Sequence, residues 1–200
     1  DESDKLPNSH KEKLRQYAKL RNSIVHEKRL GGAPIADPRE DVVRNIEMIR
    51  NLLLKPPLLV ETLSGPDSPQ VFEMDDCINA FLSLVVESSY SQAPVRDGGA
   101  FRLVTTNAVA RYLAPSLIED DIVETATIRE VLEFAEDGDR LETLSPTATV
   151  LEAINLFSGE TTTRVEPPSA LLVLGTMQKR APRLLCSRAD LSTLYAQLDV

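Results

Sequence analysis

The stretch "APRLLCSRADLSTL", residues 181–194, decides how this chain folds. Its first half predicts a short apolar strand, and its second half repeats leucines at helical spacing. Ser187 stands where the strand passes into the helix, and Asp190 follows in the first helical turn. Either residue can cap a helix through a side-chain oxygen. Such a junction can also bind an anion, because backbone N–H groups at the start of a helix point outward.

A second copy of the pattern lies earlier in the chain. "FRLVTTNAVARYL", residues 101–113, predicts a strand that ends in the hydroxyl residues Thr105 and Thr106 and enters a helix. Each copy follows a helix and another strand, namely "DDCINAFLSLVVESS" with "APVRD" and "TATVLEAINLF" with "SALLVLG". The order helix–strand–strand–helix therefore occurs twice, which indicates an internal duplication and an α+β fold.

The two copies differ in their acidic residue. An Asp in the first helical turn can accept hydrogen bonds from both hydroxyls of a ribose, and Asp190 has this place in the second copy. Arg188 beside it can neutralise a phosphate. In the first copy the place falls on Ala108 or Val109, depending on a one-residue offset. We therefore expect one nucleotide per chain rather than two, with helix capping as the alternative role for Ser187 and Asp190.

These features resemble the CBS domain pair, or Bateman module, over roughly residues 58–200. The resemblance rests on "SQAPVRDGGAFRLVTTNAVARYL" and on "LLVLG" followed by "APRLLCSRADLSTL". It implies two sheets stacked about a pseudo-twofold axis, with two clefts that commonly take adenosine compounds. The implied ligand residues are Ser187, Arg188, Asp190, Thr105 and Thr106. The implied ligand is AMP, ADP, ATP or another adenosine compound such as S-adenosylmethionine or a cyclic dinucleotide, with no cofactor required.

Residues 1–57 have a different pattern. "HKEKLRQYAKLRNSIVHEKRL" and "REDVVRNIEMIRNLLL" predict two amphipathic helices separated by a loop. Two helices of this length cannot bury both apolar stripes by themselves. We therefore expect a helical hairpin that pairs with a second copy of the chain as a homodimer. His10 stands in a polar stretch and is expected to be solvated.

One segment of this hairpin suggests chemistry. "LRNSIVH", residues 20–26, resembles the HEPN family through Arg21, Asn22 and His26. The resemblance implies a metal-independent endoribonuclease, in which His26 takes the proton of an RNA 2′-hydroxyl and Arg21 stabilises charge at phosphorus. The alternative is that the three residues are polar groups at a helix–helix contact. Only the C-terminal half of a HEPN domain is matched, so whether the chain is an enzyme stays open.

Charge and cysteine content limit the partners. Residues 1–57 hold 12 Lys and Arg against 9 Asp and Glu, a net +3, and the rest holds 10 against 22, a net −12, which gives −9 in all. We expect no DNA binding, and RNA contact only through the N-terminal helices. No apolar run approaches the roughly 18 residues of a membrane helix. Cys77 and Cys186 are expected to be reduced core thiols, without metal-ligand spacing, in a cytoplasmic protein.

The predicted organisation has five parts. They are a helical hairpin at 1–57, a linker at 58–70, a first repeat at 71–115, a connector at 116–142 and a second repeat at 143–200. The expected function is a regulatory module that binds an adenine nucleotide and signals to a dimeric helical domain. A ligand-controlled ribonuclease and a purely structural dimerisation module are the two alternatives.

Overall fold

The computed structural model describes residues 6–26, 37–63, 65, 68–119, 125–159, 166–176 and 181–198. Two long helices come first, α1 (Asn8–His26) and α2 (Glu40–Leu54). The next unit consists of α3 (Leu59–Thr62), β1 (Phe72–Glu73), α4 (Ile78–Ser88), β2 (Gln92–Asp97), β3 (Ala100–Thr105) and α5 (Thr106–Ile118). The last unit consists of α6 (Ile128–Val131), β4 (Leu141–Leu144), α7 (Val150–Ser158), β5 (Ala170–Leu174), β6 (Pro182–Ser187) and α8 (Leu191–Leu198). Short 3-10 turns extend α6 at Leu132–Phe134 and precede α8 at Arg188–Asp190.

Each unit forms a three-stranded sheet with the same topology. The sheet orders are β1-β2-β3 and β4-β5-β6. In both sheets the first strand runs parallel to the central one, and the third runs antiparallel to it. The predicted α+β class and the duplicated order of helices and strands are therefore confirmed. The two-residue strand β1 was not predicted, because so short a run carries no alternating pattern.

Each sheet packs against helices around its own apolar core. The first core is built on Phe81, Val95 and Val104, and Phe72 meets Phe81 edge to face with ring centroids 6.1 Å apart. The second core is built on Leu171, Val173 and Leu194. In β5 four successive residues are buried, so this central strand is covered on both faces.

The two units exchange their first helices. Helix α3 precedes the first sheet, yet Leu59 is fully buried in the second core, and its N–H donates to the carbonyl of Ala148 at 2.9 Å. Helix α6 precedes the second sheet, yet Ile128 lies in the first core, and its N–H donates to the carbonyl of Asp76 at 2.9 Å. Isolated bridges between Leu58 and Thr149 and between Cys77 and Thr127 repeat the same exchange. Separating the units would therefore uncover both cores.

This exchange changes how two predicted segments are described. The segment 58–70 was expected to be a linker, but its first residues form α3 and complete the second core. The segment 116–142 was expected to connect the repeats, but it supplies Ile128, Val131 and Leu132 to the first core. The local sequence pattern indicates where each segment begins. Which of the two cores its helix joins depends on tertiary packing.

The N-terminal helices contact each other and the second unit. The Tyr17 hydroxyl donates to the Asn45 side-chain oxygen at 3.0 Å, and Leu52 of α2 packs against the second core. The prediction that His10 is solvated is wrong, because its side chain is buried. His10 falls on the same side of α1 as Leu14 and Tyr17, which are half-buried, so helical periodicity places it at the contact.

The cysteine prediction holds for one residue of two. Both cysteines are free, and Cys186 is buried in the second core. Cys77 is exposed, so its assignment to the core is corrected. It occupies the N-cap of α4 in an extended conformation, one residue before the buried Ile78. Among the described residues, no helix is both long and apolar enough to cross a membrane.

Candidate functional site

The second strand-to-helix junction, residues 186–190, has the capping arrangement of a helix start. The backbone N–H and the hydroxyl of Ser187 both donate to Oδ2 of Asp190, at 2.8 and 3.2 Å. The Ser187 hydroxyl in turn accepts from the N–H of Ala189 at 3.3 Å. Both side chains are half-buried. Within the described part of the chain, Oδ1 of Asp190 accepts no hydrogen bond, so one carboxylate oxygen stays available to an added donor.

Arg188 is directed at the segment that enters β5. Its Nη2 donates to the carbonyl of Pro167 at 3.2 Å and its Nε to the carbonyl of Pro168 at 3.4 Å. The side chain is exposed, and a guanidinium carries five N–H donors, so these bonds leave donors for a phosphate.

The thiol of Cys186 lies at the start of this junction, and its pKa is shifted by the surroundings. Burial, followed by the negative charge of Asp190, raises the pKa of its thiol to about 12. The thiol is therefore protonated at neutral pH and takes no part in nucleophilic chemistry.

The first junction, residues 104–108, makes the same transition from strand to helix and has a different side chain at the acidic position. Thr105 is the N-cap of α5, and its hydroxyl oxygen accepts from the N–H of Ala108 at 3.1 Å. Ser187 is likewise the N-cap ahead of Asp190. Ala108 therefore corresponds to Asp190, which resolves the earlier choice between Ala108 and Val109. Thr106 begins α5 and is half-buried.

A carboxylate nevertheless reaches the first junction from the connector. The Thr105 hydroxyl donates to Oδ1 of Asp139 at 3.2 Å, and Nη1 of Arg111 donates to Oδ2 at 3.0 Å. Arg111 also forms an ion pair with Glu136. Sequence reasoning missed Asp139 because it belongs to the charged run "AEDGD", which is typical of a solvated loop. Local spacing carries no signal for this contact.

Of the three N-terminal candidates, the structure places two at the surface. Arg21 and Asn22 are exposed on α1, and Nη1 of Arg21 donates to the Asn22 side-chain oxygen at 3.1 Å. His26 is the last residue of α1, and its side chain lies outside what the structure describes. In this chain Arg21 and Asn22 therefore do not lie at a buried contact between α1 and α2.

An open cavity lies away from both junctions. It has a volume of about 390 Å³ and lies between the end of α2 and the end of α8. Arg44, Asn51, Lys55 and Gln197 supply polar groups to its wall. Within the described ranges, no three His, Cys, Asp or Glu side chains lie together as a metal site.

Comparison with known proteins finds a likeness in fold. Neither a protein-family model nor a curated protein matches the chain. The chain is similar to a CBS domain-containing protein of unknown function from Kribbella flavida DSM 17836, at 17 % identity and a TM-score of 0.49, over 65 % of this chain and 93 % of that one. It is similar to CBSX2 in complex with AMP, at 11 % identity and a TM-score of 0.48, over 72 % and 99 %. It is also similar to CbpB in complex with c-di-AMP, at 14 % identity and a TM-score of 0.47, over 76 % and 92 %. None of these likenesses assigns a ligand to this chain.

Proposed function

We propose that residues 58–198 are a regulatory CBS pair that binds one adenine nucleotide at the second junction and signals to the N-terminal helices. The duplicated sheets and the reciprocal exchange of α3 and α6 support the CBS architecture. Ser187 and Asp190 would bind the ribose, and Arg188 would bind a phosphate. The observation that carries the proposal is the half-buried Asp190 carboxylate, of which only Oδ2 accepts from the described residues.

The second junction is connected to the N-terminal helices through α8. Asp190 lies in the turn that starts α8, and Leu194 and Leu198 of that helix are buried in the second core. Leu52 of α2 packs against the same core, and Gln197 lines a cavity with it. A ligand that shifts the start of α8 would therefore move a helix that packs in the same core as Leu52 of α2. This shared core is the route by which binding would change the helical hairpin.

Thermal unfolding with AMP, ADP, ATP and S-adenosylmethionine tests the nucleotide site. At 100 times its Kd, a ligand adds about 2.7 kcal/mol to the free energy of unfolding, which is a shift of several degrees for a domain of this size. We expect such a shift with at least one nucleotide, and we expect it to disappear in Asp190→Ala.

Glu130→Ala is the matched control for this experiment. Thr127 and Glu130 form a second capping box at the start of α6, with the Thr127 N–H donating to Oε2 of Glu130 at 2.7 Å. Both variants lose a cap, but only Asp190→Ala would lose the ligand-induced shift. No shift with any nucleotide, or equal shifts in the two variants, would contradict the proposal and favour a purely structural module.

The partner of the helical hairpin would be a second copy of the chain. Large apolar side chains remain exposed on α1 and α2, namely Leu20, Val25, Val43, Ile46, Leu53 and Leu54. Only part of the apolar stripe of α2 is covered. Its inward-facing members are Val42, Ile49 and Leu52, and its exposed members include Val43, Ile46 and Leu53. Light scattering after gel filtration should give twice the chain mass of 22.1 kDa, and a monomer for Ile46→Asp. A monomeric wild-type protein would contradict dimer formation.

RNA cleavage is the second candidate function. The exposed pair of Arg21 and Asn22 near the end of α1 is the observation that favours it. We expect a metal-independent cleavage of single-stranded RNA in the presence of EDTA that is lost in His26→Ala. Arg15→Ala is the control, because Arg15 is an exposed arginine on the same helix that pairs with Glu12. Cleavage that survives His26→Ala would exclude this role.

A further inference from the structure

We propose that Asp139 is an internal ligand of the first junction. Its carboxylate fills an anion position that would otherwise take a phosphate group, and in doing so it fastens the connector to the first repeat. The proposal goes beyond the nucleotide site, which lies at the other junction, and does not rest on it.

Three donors converge on this carboxylate, two from the start of α5 and one from the loop that carries Asp139 itself. The Thr105 hydroxyl donates to Oδ1 at 3.2 Å, and Nη1 of Arg111 donates to Oδ2 at 3.0 Å. The backbone N–H of Glu136 donates to Oδ2 at 3.1 Å. The hydroxyl and the guanidinium, which come from α5 and not from the Asp139 loop, are donors of the kind with which proteins hold phosphate groups. The set is therefore an anion site, and the anion in it belongs to the chain.

Burial separates Asp139 from the other acidic groups of the same loop. Its side chain is 8 % exposed, whereas that of Glu136 is 66 % exposed although both pair with Arg111. A carboxylate this buried is held only where its donors offset the loss of hydration. Asp137, between the two, is exposed and makes no hydrogen bond or ion pair with a described residue. Of the three acidic residues of this loop, only Asp139 places its carboxylate at the first junction.

The same loop is bonded to the second repeat. The Ser169 hydroxyl donates to the carbonyl of Gly138 at 2.5 Å, and the Ser169 N–H donates to the carbonyl of Arg140 at 3.0 Å. Nη2 of Arg140 donates to the carbonyl of Glu166 at 3.0 Å. The Asp139 carboxylate thus holds the first junction to a loop that is also attached to the start of β5. Releasing it would loosen the joint between the repeats.

A tethered carboxylate excludes a free anion by competition. The loop holds the Asp139 carboxylate next to its donors. For a short tether, the effective concentration of such a group is about millimolar or above. A phosphate must displace it and leave a charged side chain without partners. Removing the carboxylate should therefore expose Nη1 of Arg111 and the Thr105 hydroxyl to inorganic phosphate, while Nη2 of Arg111 keeps its ion pair with the exposed Glu136.

Titration with inorganic phosphate at constant ionic strength tests the proposal on the full chain. We expect Asp139→Ala to bind one more phosphate per chain than the wild-type protein does. The affinity of the first junction for phosphate should rise at least about tenfold. The double variant Asp139→Ala with Arg111→Ala should lose this binding. Asp137→Ala is the matched control, because it removes the same charge from the same loop and should bind as the wild-type protein does.

Two further measurements keep the test decisive. If Asp139→Ala does not fold, Asp139→Asn replaces it, since the amide oxygen can still accept from Thr105 while the competing charge is gone. Hydrogen exchange at residues 136–140 should speed up in either variant and slow again with phosphate. Equal phosphate binding by folded Asp139 variants and Asp137→Ala, or gained binding that survives Arg111→Ala, would overturn the proposal. Neither result depends on whether a nucleotide binds at Asp190.

Discussion

The two junctions make the same transition from strand to helix and differ in where the carboxylate comes from. At the second junction Asp190 belongs to the helix start, and Oδ2 accepts both hydrogen bonds from Ser187. At the first junction Ala108 occupies that position, and the carboxylate of Asp139 arrives from a loop that follows later in the chain. The described residues donate to one oxygen of the Asp190 carboxylate, whereas they donate to both oxygens of Asp139, whose side chain is 8 % exposed. The duplicated fold therefore holds a carboxylate at each junction, which comes from the helix start in one copy and from a distant loop in the other.

The largest effect on stability should come from Ala108→Asp, which places an aspartate at the first junction where the second junction has Asp190. Ala108 is fully buried, and Ala108→Asp would bring a second carboxylate to the Thr105 hydroxyl, which has one proton to donate. We expect the free energy of unfolding to fall by about 3 kcal/mol or more in urea titrations. Adding Asp139→Ala should recover part of this loss, with a coupling of about 0.5–3 kcal/mol. Strictly additive losses would show that the two positions do not share the hydroxyl.

Arg111→Ala should have the next largest effect. It leaves the nearly buried Asp139 carboxylate without its cation and with only the Thr105 and Glu136 donors, and a hydrogen bond to a charged group contributes about 1.5–3 kcal/mol. Arg129→Ala is the control, since its pair with Asp75 is exposed on both sides and such pairs contribute about 0–1 kcal/mol. Chemical unfolding of the two variants measures the difference. Equal losses would mean that the Asp139 contact is an ordinary surface pair.

A smaller effect concerns the second repeat alone. Alkaline pH should lower the stability of the fold through ionisation of Cys186. Its folded-state pKa is raised to about 12 from an ordinary value of 9.0, so the unfolded chain releases the proton first. The stability that the protonated thiol contributes is therefore complete below about pH 9 and is lost as the pH rises toward about 12. Cys186→Val copies Val104, its counterpart in the first repeat, and should remove this part of the alkaline loss in melting curves. An unchanged alkaline profile would contradict the assignment.

The smallest effect concerns Glu130, the acid of the other capping box. The hydrogen bond from the Thr127 backbone, and then that from its hydroxyl, lower the pKa of this carboxylate below 4.5. The stability it contributes is therefore present above pH 4.5 and is lost as the pH falls through its lowered folded pKa. Glu130→Gln should lower the melting temperature slightly at pH 7 and by less at pH 3. A difference that grows on acidification would be inconsistent with this account.

Much of the architecture could be predicted from local pattern. Strand β6 was placed at its observed ends because a proline opens it and a capping serine closes it. The duplication followed from a repeated order of elements. The exchange of α3 and α6 could not be predicted, because apolar residues such as Leu59 and Ile128 fit either core equally well by composition.

The candidate site was predictable only in part. Ser187 and Asp190 lie three residues apart, so their contact is encoded by helix geometry. Thr105 and Asp139 are 34 residues apart, and their contact depends on the path of the connector. The same limit applies to His10, whose burial follows from the pairing of α1 with another element rather than from its polar neighbours in sequence.

The asymmetry of the junctions is tested most directly by the number of nucleotides bound per chain. Isothermal titration with AMP or ATP, whichever raises the melting temperature more, would be done on the wild-type protein, Asp190→Ala and Arg111→Ala. We expect one nucleotide per chain in the wild-type protein, none in Asp190→Ala and one in Arg111→Ala. Two nucleotides per wild-type chain, or one that remains in Asp190→Ala and disappears in Arg111→Ala, would contradict this expectation.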